Sequence, residues 1–120
     1  MPEFICYPKC STCQKARQWL DANNISYHIR DIKTDNPSAK ELRAWQEQSG
    51  LPLRKFFNTS GLKYKELHLK DRLPAMSEEE QIALLASDGM LVKRPLFIDL
   101  SRGRTVVLIG FKEADWRILL

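Results

Sequence analysis

Three cysteines fall within the stretch Phe4-Ile5-Cys6-Tyr7-Pro8-Lys9-Cys10-Ser11-Thr12-Cys13-Gln14-Lys15-Ala16-Arg17. Cys10 and Cys13 form a Cys-x-x-Cys pair, and chemistry at such sulfurs needs a thiolate. A free cysteine, with a pKa of about 8.5, supplies little of it at neutral pH. The stretch reads as a short apolar strand, a turn carrying Cys10, and a helix that opens at Ser11 to Cys13. A helix N-terminus presents unpaired N–H groups and a partial positive charge, and Lys9 and Lys15 add charge nearby. Cys10 is thus placed where its thiolate is stabilised. Cys13 follows one helical turn later on the same face, as a resolving thiol beside an attacking one.

Metal binding is the rival reading. Cys6-x3-Cys10-x2-Cys13 has the spacing of a radical-enzyme iron–sulfur motif, but Thr12 stands where an aromatic precedes the last cysteine. A chain of 120 residues is also too short for the partial barrel of such enzymes. Zinc would need His28 or His68 as fourth ligand, and no second paired spacing supplies one. The residues therefore favour a redox pair with no metal and no cofactor. Cys6, inside the strand, reads as a small buried apolar residue. His28 and His68 read as surface residues, and Trp19, Trp45 and Trp116 fall at helical core spacing.

The rest of the chain must position this pair. Nineteen Lys+Arg against fifteen Asp+Glu give a net charge of +4, spread along the chain, and 43% of residues are hydrophobic. That fits one ordinary globular domain over residues 1–120 and no direct DNA binding. No apolar run approaches the ~20 residues of a membrane span. Met1-Pro2-Glu3 leads straight into a strand with no signal-peptide pattern, so the expected location is the reducing cytoplasm and no membrane contact is expected.

After Phe4–Tyr7 and the first helix, Asn23-Asn24 reads as a stop, and Ile25–Ile32 alternates as a second strand. Strand–helix–strand at this spacing is a βαβ unit with parallel strands. Ser38-Ala39-Lys40-Glu41 and Ser77-Glu78-Glu79-Glu80 are capping boxes, opening helices that stop near Gly50 and Gly89. Between them lie a helical turn at Leu53–Phe57, a loop at Asn58-Thr59-Ser60-Gly61, a short helix at Tyr64–Leu69, and a break at Leu73-Pro74. Leu96–Leu100 and Thr105–Ile109 read as strands joined by a tight turn at Ser101–Arg104. Phe111–Leu120 reads as a closing helix with Phe111, Ala114 and Ile118 on one stripe and Trp116, Leu119 and Leu120 beside it. The order βαβ, a helical insertion over about 33–89, then ββα predicts an α/β protein of thioredoxin-like fold with a mixed four-stranded sheet.

At this point four segments resemble the arsenate-reductase-like proteins, which include glutaredoxin-coupled arsenate reductases and Spx-type redox regulators of transcription. They are Tyr7–Ala16, Lys55–Gly61, Met90–Leu96 and Gly110-Phe111. The resemblance implies that Cys10 is the nucleophile and that Arg94-Pro95 matches an Arg-Pro before the third strand, with Pro95 a cis-proline facing the cysteine loop. It makes Arg94, Asn58, Ser11 and Thr12 the candidates for substrate or anion binding. The arsenate reductases grip their oxyanion with three arginines; here one matching position reads Asn58 and another falls near Leu108, with Arg54, Lys55 and Lys93 as stand-ins. Those reductases generally lack Cys13, whereas the Spx type carries the pair. Two functions follow as expectations. One is a thiol–disulfide oxidoreductase recharged by glutathione and glutaredoxin or by thioredoxin. The other is a redox-sensing regulator that binds the RNA polymerase alpha subunit through the helical insertion around Gly50. True arsenate reduction ranks third.

Overall fold

Strand β1 (Glu3–Cys6), helix α1 (Ser11–Ala22) and strand β2 (His28–Asp31) build the first part of a computed structural model that describes residues 1–101 and 103–120. β1 and β2 pair in parallel, from Glu3 beside His28 to Cys6 beside Asp31. β2 is half the predicted length because β1 offers only those four partners. Ile25 is tied instead to the end of α1, its N–H on the Leu20 carbonyl at 3.0 Å. Asn24 takes the left-handed conformation, φ 56°, that ends the helix, as asparagine readily does.

Strands β3 (Leu96–Asp99) and β4 (Val106–Ile109) pair antiparallel, and β3 pairs antiparallel with β1, giving the mixed order β2-β1-β3-β4. Of the predicted turn between them, Arg102 lies outside the described residues. Arg104 N–H closes on the Ser101 carbonyl at 2.9 Å. Side chains alternate across a sheet, so Phe4, Cys6, Phe97 and Val106 share a core cluster with Cys13, Ala16 and Leu20 of α1 and with Trp116.

The predicted closing helix is shorter: α6 spans Glu113–Trp116 and continues as a 3-10 turn at Arg117–Leu119. Its buried residue is Trp116, while Ile118 is 68% exposed. Of the stripe read from the sequence, Phe111 packs on the core cluster but Ala114 and Ile118 are exposed, because a 3-10 turn does not keep the α-helical period.

Backbone contacts divide the chain into two compact units, Met1–Asp31 with Arg94–Leu120, and Ile32–Lys93. The second unit is helical. α2 (Ala39–Ser49) opens with a complete Ser38/Glu41 capping box and ends on Gly50 at φ 67°. A 3-10 turn follows at Leu53–Phe56. The predicted helix at Tyr64–Leu69 is two, α3 (Leu62–Glu66) and α4 (Leu69–Arg72), parted by His68 in the left-handed region. The α-helix does stop before Leu73-Pro74, and a 3-10 turn, Leu73–Ala75, follows, since proline is tolerated in the first turn of a helix. α5 (Glu78–Ser87) carries the second capping box, Ser77/Glu80, and α2 packs on α5, with Leu42, Trp45, Ile82 and Leu85 buried. Among the described residues no helix is long and apolar enough to cross a membrane.

α5 stops near Gly89 as expected, but Gly89 is not in the left-handed region. The helix ends at Ser87 and passes through an extended Asp88, whose carboxylate accepts the Met90 N–H at 2.8 Å. Glycine is required at 89 by close approach: a Cβ there would lie 1.8 Å from the Ile32 carbonyl oxygen. Gly89→Ala is expected to cost at least about 2 kcal/mol by overpacking against rigid backbone. Gly50→Ala meets no atom within 4 Å and should cost only about 1 kcal/mol for its φ. Urea unfolding of the two variants tests the difference.

Candidate functional site

The site begins where β1 ends. Cys10 N–H donates to the Tyr7 carbonyl at 2.9 Å, folding Pro8 and Lys9 into a turn. The Gln14 side-chain amide holds that turn from α1 by donating to the Pro8 carbonyl at 3.0 Å. Cys10 is the N-cap residue of α1, extended at φ −86°, ψ 124°. Its carbonyl accepts the Gln14 N–H at 3.0 Å, so its side chain is left at the helix mouth.

Partial burial at that mouth raises the Cys10 pKa, but four groups outweigh it. The backbone and thiol of Cys13, the backbone of Thr12 and the Arg94 guanidinium all favour the charged sulfur, and the net shift is downward. Hydrogen bonds to the charged form favour it, and the α1 N-terminus adds its partial charge.

Cys13 is the opposite case. Its residue is 2% exposed, and burial pushes the thiol up to about 12, helped by the charge of Cys10 and by the hydrogen bond given to it, against a lowering by the Tyr7 N–H. That N–H donates to Cys13 Sγ at 3.4 Å. One environment lowers the pKa of one sulfur and raises that of the next.

Arg94 comes from the loop before β3. The Arg94–Pro95 bond is cis, and the Pro95 carbonyl accepts the Gly110 N–H at 2.8 Å. The Arg94 guanidinium carbon lies 5.4 Å from the centre of the Tyr7 ring, within cation–π range.

Cys10, Cys13, Arg94, Ser11, Thr12 and Pro95 all belong to the first unit. Thr12 contributes its backbone N–H to Cys10, while the side chains of Ser11 and Thr12 face solvent. Asn58, Arg54, Lys55 and Lys93 belong to the second unit. There the Asn58 amide oxygen accepts from the Ser60 hydroxyl at 3.2 Å, and the Asn58 carbonyl accepts the Gly61 N–H at 3.1 Å. Leu108 sits in β4, half-buried. Cys6 is 4% exposed, and burial raises its thiol. His28 and His68 are exposed. Among the described residues no group of three or more His, Cys, Asp and Glu side chains is placed to hold a metal ion.

Tyr7 is the site residue that sequence reasoning missed. It reads as the last position of an apolar strand, and only its place three residues before Cys10, next to Pro8, hints at more. In the structure it touches the cysteine pair through its backbone and Arg94 through its ring.

The family model described as the ArsC family matches residues 6–119. The crystal structure of an ArsC-family-related protein from Bacteroides fragilis superimposes with a TM-score of 0.93 at 56% identity, over 99% of this chain and 97% of that one. The uncharacterized protein YusI of Bacillus subtilis is 54% identical across 92% of this chain and 90% of its own. The regulatory protein MgsR of the same organism is 27% identical across 93% and 84%.

Proposed function

The chain belongs to the ArsC family, and from that premise we propose that it is a thiol–disulfide oxidoreductase. The observation that carries the reading is the placing of the two sulfurs: Cys10 half-buried at the N-cap of α1, and Cys13 buried one turn further on. The Cys10 thiolate attacks one sulfur of a disulfide, forms a mixed disulfide, and expels the other half as a thiolate. Cys13 then loses its proton to solvent or to the departing thiolate and attacks Cys10 Sγ. The substrate's second thiolate leaves, the Cys10–Cys13 disulfide forms, and two electrons have passed to the substrate. An external thiol of the glutathione–glutaredoxin or thioredoxin kind returns them, in a reducing cytoplasm.

The order of the steps is built in. While Cys10 is an anion, its charge and the hydrogen bond it accepts both hold the Cys13 proton in place. Once Cys10 is in a mixed disulfide, that charge is gone and Cys13 ionises more readily. Arg94 is a permanently charged donor beside the attacking sulfur. Replacing Cys13 by serine should therefore trap substrate on Cys10 as a mass adduct at neutral pH. A Cys13→Ser protein that stays unmodified would sink the proposal.

The likeness to the regulatory protein MgsR favours a second reading, a regulator; on the resemblance to Spx-type proteins it would be a redox switch without turnover that binds the RNA polymerase alpha subunit through the helical unit near Gly50. Capture of that subunit by the protein in one redox state only, with no disulfide turnover, would select it.

A further inference from the structure

We propose that the Tyr7 ring is a positioning residue for Arg94, holding the guanidinium at the cysteine loop where it favours the Cys10 thiolate. The inference rests on the reading of Cys10 as the attacking thiol. A guanidinium has its donors in one plane, so it serves a sulfur well only when that plane is fixed. Arg94 stands on a flexible stem and is half-buried. The centre of the Tyr7 ring lies 5.4 Å from its central carbon, within cation–π range.

Tyr7 is itself tightly placed. Its N–H is on Cys13 Sγ at 3.4 Å, its carbonyl on the Cys10 N–H at 2.9 Å, and its side chain packs against the core cluster of the sheet. One residue thus fixes the resolving sulfur, the turn of the attacking sulfur, and the cation beside them. The two backbone contacts survive substitution of the side chain, so the ring can be tested alone.

The test is the pH dependence of Cys10 alkylation by iodoacetamide, followed by mass spectrometry, which reads the thiolate and needs no turnover. Tyr7→Leu should raise the midpoint by roughly half a unit to one unit, slowing alkylation about 3- to 10-fold below it, the scale of a partly desolvated cation–π contact. Tyr7→Phe, which keeps the aromatic face, should stay close to the parent. In an Arg94→Gln background, Tyr7→Leu should add nothing. A Tyr7→Leu midpoint that does not move, or one that moves as far without Arg94, overturns the inference. If Tyr7→Leu does not fold, the Arg94 side-chain N–H resonance of the parent protein decides: ring-current displacement supports stacking, and a random-coil position overturns it. A low Cys10 midpoint that rises in Tyr7→Leu, with no turnover of any disulfide, would support this inference while overturning the proposed function.

Discussion

Serine at position 10 is expected to abolish disulfide exchange, lowering the rate by roughly a thousand-fold or more, the scale on which loss of a covalent nucleophile is felt. The backbone of Thr12 and Cys13 and the Arg94 guanidinium lower the pKa of a thiol; a hydroxyl starts too far above neutrality for the same groups to ionise it. Cys13 cannot substitute, since burial and the neighbouring charge push it up to about 12. A Cys10→Ser protein that retains a tenth of the parent rate would mean that another sulfur attacks. In the parent, the rate should rise with pH through the Cys10 ionisation and level off below the ordinary thiol value. The linked stability has a definite sign. The lowered Cys10 contributes stability that is present above the unfolded thiol value and lost as pH falls through the folded one. Cys13 acts oppositely: its contribution is intact below the ordinary thiol value and is lost as pH rises from there towards about 12. A pH series of exchange rates and unfolding midpoints tests both directions.

What could be read from the sequence is what local physics decides. The two capping boxes are complete in the structure because Ser38 with Glu41, and Ser77 with Glu80, satisfy each other without help from the rest of the chain. The βαβ unit follows from periodicity, and the placing of Cys10 at a helix N-terminus follows from Pro8 ending the strand just before it. What stayed hidden depends on distant partners. β2 stops where β1 runs out. Gly89 is set by the carbonyl of Ile32, far along the chain, and looks like a helix stop only because α5 ends beside it. The Tyr7–Arg94 contact joins residues from opposite ends of the sequence, so no spacing announces it. Trp116 announced itself as core by type, but the face it presents depends on a helix too short to keep one period.

Trp116→Ala is expected to be the most damaging core change in the first unit, costing about 3–5 kcal/mol of a total that in domains of this kind is about 5–15 kcal/mol. The residue is 1% exposed. Its ring meets Phe111 at 5.1 Å, Phe97 at 5.6 Å and Phe4 at 6.2 Å, each near edge-to-face, an arrangement that adds to simple burial. Its indole N–H donates to the buried Gly110 carbonyl at 2.9 Å. Trp116→Phe keeps much of the contact but leaves that carbonyl without its donor, and should cost about 1–3 kcal/mol. Urea midpoints at unchanged slope measure both; an alanine variant within about 1 kcal/mol of the parent would show that this cluster does not hold the unit together. The effect should also reach the sulfur. α1 rests through Ala16 and Leu20 on the cluster that Trp116 fills, and all the groups that lower the Cys10 pKa except Arg94 stand in the first turn of α1. Loosening the cluster loosens those groups, so below its unfolding midpoint the alanine variant should alkylate at Cys10 with a pH midpoint moved up towards that of an ordinary thiol.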